Sequence, residues 1–240
     1  MSLAKSASTR FPPAVLARWK FTGFDASVTT VLPDGCSDLI LHVDARGRQG
    51  WHVSPLTDVV MEVAGGAGEW WLGYRMQPGT TIDAASLLNS AQAVWRQSGG
   101  LILACTDPFD EHADLEAALL AVIDAHARLD PRSQEALHAL AHAPTVGKAA
   151  QSLGVSERSL ERLTSRATGK PPRFWRALAR VRRAARMLGA EQPLADIAAE
   201  HGYADQAHFS RDCLRWLGQS PASLRRSPHR LASLAEVGYG

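Results

Sequence analysis

Arg158, Glu161 and Arg162 form one short cluster, and Gln206, His208 and Arg211 form another. Guanidinium and amide groups read the acceptor pairs on guanine and adenine, a carboxylate accepts from the amino group of cytosine, and arginine also grips phosphate. To act as a reading surface, each cluster needs a helix that turns it outward. Ser156 caps the first such helix, with Leu160 and Leu163 facing a core, which leaves Arg158, Glu161 and Arg162 at a groove. Asp205 caps the second, with Phe209, Cys213 and Trp216 inward and Gln206, His208 and Arg211 outward, followed by Arg215. Two plainer roles stay open: a phosphate contact or a solvated charge for each arginine, and a purely orienting role toward Arg158 or Arg162 for Glu161.

The elements around these clusters repeat. Leu194, Ile197 and Ala198 share one face of a short helix and Gly202 permits the sharp turn before Asp205, which together give a helix-turn-helix. Sliding the chain by forty-nine places lays Ser156 on Asp205, Leu160 on Phe209, Arg162 on Arg211, Arg166 on Arg215, Gly169 on Gly218 and Pro172 on Pro221. Upstream the offset is forty-eight, with Gly154 over Gly202 and Ala150 over Ala198. Between the copies, Phe174 to Leu188 predicts one continuous helix. Phe174, Leu178, Val181, Ala185 and Leu188 are on its apolar face, and Arg176, Arg180, Arg182, Arg183 and Arg186 are on the remainder. Such a helix is a stiff spacer between the two reading helices.

The tandem spacing and the run A-x-x-x-G-Y-A-D-Q-A-H-F-S-R followed by W-L-G-Q-S-P resemble the AraC/XylS family of bacterial transcription regulators over residues 131 to 226. The resemblance implies sequence-specific binding to promoter or operator DNA. It places base-reading positions on Arg158, Glu161 and Arg162, and on Gln206, Ala207, His208 and Arg211. Ser156, Lys170, Arg173, Arg182 and Arg215 are the candidates for phosphate. Thr164 and Cys213 depart from the pattern, which commonly has an aromatic core residue there, so both units are expected to pack more lightly. RNA polymerase is the implied partner of an activator, and a homodimer is a further candidate.

Charge agrees with this division. The 240 residues carry 26 Lys+Arg and 24 Asp+Glu, a net +2. Residues 131–240 hold 17 basic and 9 acidic residues, or +8, and the remainder holds 9 and 15, or −6. One half is therefore suited to a polyanion. No run of about eighteen apolar residues is present, and MSLAKSASTR lacks a secretory core, so the expectation is a bacterial cytoplasmic protein, on the nucleoid when bound. Cys36, Cys105 and Cys213 form no C-x-x-C, and all three are expected as thiols.

Ahead of the repeats, residues 1–10 are small and polar and expected to be disordered, and Phe11 to about Leu88 reads as strands and turns. Val28–Leu32 and Asp38–Val43 flank Pro33-Asp34-Gly35 and predict a hairpin. Further strands are predicted over Trp51–Leu56, Val59–Val63 and Glu69–Met76, giving a small β-barrel or sandwich. VLPDGCSDLILHV and GYRMQPG resemble the cupin-like domain of the same family, which implies effector sensing or dimerisation, with Trp51, Trp70 and Tyr74 as candidate pocket residues. Trp70 and Trp71 are neighbours on one strand, so at most one of them faces the interior.

Glu111–Ala127 predicts an amphipathic helix. His42, His52 and Glu62 lack metal-ligand spacing, Cys36 reads as a buried structural residue rather than a reactive thiol, and no catalytic motif is present. No metal, cofactor or enzyme activity is therefore expected. The predicted fold is α+β in two domains: residues 11–130 are β-rich, and residues 131–226 are an all-α double helix-turn-helix joined by the spacer helix. Residues 227–240 are read as a tail. The alternative reading is an enzymatic or protein-interaction domain fused to the DNA-binding half.

Overall fold

The computed structural model describes residues 11–98 and 113–240, so the predicted N-terminal disorder, Cys105 and the first residues of the Glu111–Ala127 helix lie outside the described residues. Two compact units emerge. The first holds residues up to Val28, Ser37–Pro55 and Ala64–Asp130; the second holds Thr29–Cys36, Leu56–Val63 and Pro131–Gly240.

The strands are β1 (Val15–Thr22), β2 (Ser27–Val31), β3 (Asp38–Val43), β4 (Gln49–Val53), β5 (Met61–Gly65), β6 (Trp70–Met76), β7 (Thr81–Ile82) and β8 (Ala127–Arg128). The first unit is built on a four-stranded antiparallel sheet in the order β1-β6-β3-β4. The predicted hairpin of Val28–Leu32 with Asp38–Val43 does not form: β2 pairs with β5, and β3 lies between β4 and β6. The reason is burial, because the apolar β3 needs a neighbour along each edge and cover on both faces, whereas β2 is exposed to half-buried throughout.

Helices α1 (Ala84–Gln97) and α2 (Ala113–His126) join this unit. The first was not foreseen at its start, where residues up to Leu88 read as strand and turn. Asp83 caps α1 by accepting from the N–H of Ser86, and Leu87, Ala91 and Trp95, each four residues apart, form its buried stripe. These three pack with Leu115, Leu119 and Ile123 of α2 and with Leu39, Leu41, Leu72 and Tyr74 of the sheet.

Two buried ion pairs, Arg18–Glu116 and Arg75–Asp38, are found among the described residues of this unit. Glu116, in the first turn of α2, is buried and accepts from Arg18 Nη1 at 3.0 Å. On the opposite face of the sheet, Asp38 accepts from Trp19 Nε1 at 2.8 Å and Arg75 Nε at 3.1 Å. Trp19 lies flat over Gly73, where an added Cβ would come within 2.1 Å of the indole.

The second unit is helical: α3 (Pro131–His142), α4 (Val146–Ser152), α5 (Glu157–Thr168), α6 (Pro172–Arg186), α7 (Leu194–Glu200), α8 (Gln206–Leu217), α9 (Pro221–Arg225) and α10 (Pro228–Ala235). The predicted spacer, α6, is its hub. Trp175, Leu178, Ala179, Val181, Ala184 and Ala185 are all fully buried, and α3, α4, α5, α8 and α10 pack around it. Alanines on three sides let neighbours approach closely, so this helix is enclosed rather than exposed along one face.

Residues 227–240 are not a tail. Pro228 opens α10, Leu234 and Tyr239 are buried, and the Tyr239 hydroxyl donates to the carbonyl of Leu137 at 2.7 Å. The turn at Pro33–Cys36 belongs to the same core: the N–H of Tyr239 donates to the carbonyl of Asp34 at 2.8 Å, and Gly35, at φ +75°, fits against Tyr239, Trp175 and Leu178. Cys36 is buried, and its backbone N–H donates to Asp34 Oδ1 at 2.9 Å.

Candidate nucleic-acid interface

The two repeats fold into two copies of one motif. In the first, α4 ends in a turn at Gly154 (φ +66°) where the N–H of Val155 donates to the carbonyl of Ala150. In the second, α7 ends at Gly202 (φ +71°) where the N–H of Tyr203 donates to the carbonyl of Ala198. A left-handed residue is needed at both places to reverse the chain, and glycine supplies it without steric cost. Ser156 Oγ then accepts from the N–H of Ser159, and Asp205 Oδ1 from the N–H of His208, so α5 and α8 start on equivalent side-chain caps. Both end on left-handed glycines, Gly169 and Gly218.

Capping at one end and burial along one side leave each helix one uncommitted face. On α5, Leu160 and Thr164 are buried while Arg158, Glu161, Arg162 and Arg166 are exposed. Thr164 fits its core position by turning its hydroxyl onto the carbonyl of Leu160 at 2.9 Å. On α8, Phe209, Cys213 and Trp216 are fully or almost fully buried, and burial raises the Cys213 thiol pKa strongly, so it stays protonated. Gln206, Ala207, Arg211 and Arg215 are exposed. His208 sits at the flank of that face, half-buried, with its ring edge-on to Tyr203 at 5.1 Å between centroids and Nε2 3.5 Å from Arg180 Nη2.

The phosphate candidates divide. Ser156, Arg173 and Arg215 are exposed, with the Arg215 guanidinium 5.3 Å from the Trp216 ring. Lys170 is half-buried, 5.0 Å over the Phe174 ring and 3.6 Å from Asp58. Arg182 is a correction. It is 1% exposed, and its guanidinium donates to the carbonyls of Pro33 at 3.1 Å and Glu236 at 3.3 Å. Those two carbonyls come from segments distant in sequence, and they hold inward a side chain that helical spacing alone had placed outside.

Three other spacer arginines are also engaged with protein. Arg176 donates to the carbonyl of Pro144, Arg180 to Asp212, and Arg186 to the carbonyl of Leu234. Burial first, then the cations of Arg180 and Arg183, lowers the pKa of Arg176. These contacts were missed because their acceptors are backbone carbonyls and a single aspartate. Asp212 was legible as an anomaly, being an acid in a basic half where the first copy has Leu163.

Of the candidate effector residues, Trp70 and Tyr74 are buried in the core of the first unit, and Trp51 packs half-buried against the same core, 5.9 Å from Trp95. Trp71 lies on the opposite face from Trp70, stacked on His42 at 4.6 Å and tilted against Phe21 at 5.2 Å. His42 meets Glu69 at 3.3 Å, and no cluster of three or more metal-ligating side chains occurs among the described residues. No helix among the described residues is long and apolar enough to cross a membrane.

A family model described as a helix-turn-helix domain matches residues 149–227. Among solved structures, the C-terminal domain of AraT, a response regulator from Geobacillus stearothermophilus, is 29% identical, covering 42% of this chain and 88% of its own, with a TM-score of 0.39. A transcriptional regulator from Chromobacterium violaceum, titled with AraC-type DNA-binding domain-containing proteins, is 26% identical over 45% of this chain and 96% of its own, with a TM-score of 0.37. Unsaturated fatty acid bound ToxT from Vibrio cholerae is 12% identical over 97% of this chain and 100% of its own, with a TM-score of 0.42. No curated protein sequence matches the chain.

Proposed function

From the AraC-type helix-turn-helix domain that this chain carries at residues 149–227, we propose that the protein regulates transcription by reading two successive major grooves of one DNA duplex, one with α5 and the other with α8. The observation that carries the reading is the duplicated motif. Two helices with equivalent caps, left-handed glycine stops and buried faces each keep one exposed face that carries arginine. The side chains on those faces differ, Arg158, Glu161 and Arg162 against Gln206, Ala207, His208 and Arg211, so the two elements differ in sequence and the site is asymmetric. The elements are about one helical turn, roughly 10 base pairs, apart. The +8 of residues 131–240 supplies the electrostatic attraction, and Arg173 and Arg215 are the phosphate contacts best placed to use it.

The β-rich unit, with its own core and opposite charge, is assigned the control of this activity, by a small-molecule effector or a protein partner. Its packed interior favours binding at the half-buried Trp51 side over a cavity among Trp70 and Tyr74. If the protein activates, RNA polymerase is the further partner, and a homodimer is compatible with the same role.

The test is a duplex selected from a randomised pool by the full chain, then substituted one base pair at a time. Arg211→Ala should relax preference by about 1–3 kcal/mol within one element, and Arg162→Ala within the other. If both relax the same positions, or if each only lowers affinity uniformly, α5 and α8 do not read adjacent grooves.

A further inference from the structure

We propose that Arg180 is a positioning residue for the second reading helix: from α6 it fixes the setting of α8, and of His208 on it, and so determines base preference in one element without touching a base. The inference rests on the two-element reading above.

One guanidinium serves four contacts. Arg180 Nη2 is 2.7 Å from Asp212 Oδ2, and the two side chains are 13% and 16% exposed. The same Nη2 lies 3.5 Å from His208 Nε2, and Nη1 donates to the carbonyl of Gly202 at 3.4 Å. The guanidinium carbon stands 4.1 Å from the centroid of the Tyr203 ring. Gly202 and Tyr203 are the turn of the second motif, and His208 and Asp212 are one helical turn apart on α8. The turn and two levels of the reading helix are therefore tied to a single atom group on the hub helix.

Only arginine does this well, because a planar cation offers its face to an aromatic ring while its edge donates to a carboxylate. Burial, reinforced by the Asp212 carboxylate, raises the Tyr203 phenol pKa, so the ring under the cation stays neutral.

Among the described residues the first motif shows no equivalent link. At the forty-nine-residue offset Leu163 replaces Asp212 and Ser159 replaces His208. Leu163 packs against the apolar core, and Arg176, one turn before Arg180, reaches the carbonyl of Pro144 ahead of α4 rather than a side chain of α5. Both reading helices are seated by apolar packing, and the second adds a directional, charged link. Loosening that link should blur one element and spare the other.

The full chain is used throughout, on the duplex it selects from a randomised pool. Arg180→Gln should reduce discrimination roughly tenfold at base pairs read by α8 and leave those read by α5 unchanged. Asp212→Asn, which keeps shape but removes the charge, should act in the same element. The double variant should lose no more than the worse single one, since both remove one link. Arg180→Lys should restore part of the discrimination. Discrimination is a ratio of affinities within one preparation, so partial unfolding does not alter it. The slope of affinity against salt should stay at the wild-type value, because no phosphate contact is lost. Uniform weakening in both elements with a slope reduced by about 0.9 would make Arg180 a phosphate contact and overturn the proposal, as would unchanged discrimination in the α8 element. A wild-type chain that shows no two distinct elements overturns the underlying reading and this inference with it.

Discussion

Ser156 and Asp205 do the same work forty-nine residues apart: each side chain accepts the backbone N–H three residues on and starts a reading helix. A cap satisfies one of the four donors that a helix start leaves without an internal partner. Ser156→Ala and Asp205→Ala should therefore each lower stability by about 1 kcal/mol. Urea midpoints of the two variants would measure this, and Ser156→Gly, which a cap position tolerates, should cost only a few tenths as much.

Arg182 should behave as a core residue. Hydrogen bonds run from this buried cation to the carbonyls of Pro33 and Glu236, so Arg182→Ala is expected to cost about 3 kcal/mol in unfolding free energy. Removal of a phosphate contact would lower the salt dependence of DNA affinity; here that slope should match the wild type. The same geometry makes a fragment of residues 131–240 incomplete, since Leu32, Leu56 and Val60 pack on the helical core from earlier in the chain. Such a fragment should melt below the helical unit of the full chain.

How much could be read beforehand follows from what is local. Gly154, Gly202, Gly169 and Gly218, with the caps at Ser156 and Asp205, each fix backbone within a few residues, so the duplicated motif and its outward faces were visible in the sequence. Strand partners are set by distant segments, and nothing near Val28 shows that β2 pairs with β5 instead of β3. Arg180 and Arg182 are two residues apart on one helix; which of them is buried depends on the carbonyls that Pro33 and Glu236 bring. The last fourteen residues carry a helix start at Pro228 and apolar residues at Leu231 and Leu234, a short pattern that the polar and glycine residues around it concealed.

Gly73 should tolerate no side chain. An added Cβ would meet the Trp19 indole, which must then lift off the sheet and release Asp38. Gly73→Ala is expected to cost about 1–3 kcal/mol from overpacking, and more if the Trp19 hydrogen bond breaks. Gly50→Ala is the control, because a Cβ there meets open space. Thermal melts, with tryptophan emission shifting only in the Gly73 variant, would check both.

Acid should weaken the helical unit through His201. This residue caps the C-terminal end of α7, where a cation is ordinarily welcome. Burial and then the nearby Arg183 cation nonetheless hold its pKa below the usual 6.5, against a smaller opposing effect of Glu200. The unfolded chain then binds the proton more readily than the folded one, so the histidine's contribution is complete above pH 6.5 and is lost as pH falls through its folded value. Asp83, also held low, by its bonds to Ser86, titrates below 3.8 and does not enter this window. His201→Gln should accordingly resemble the wild type at pH 7.5 and be the more stable of the two at pH 5.5. Urea midpoints at both values decide it: an equal acid-induced loss in wild type and variant would show that the proton is taken up elsewhere.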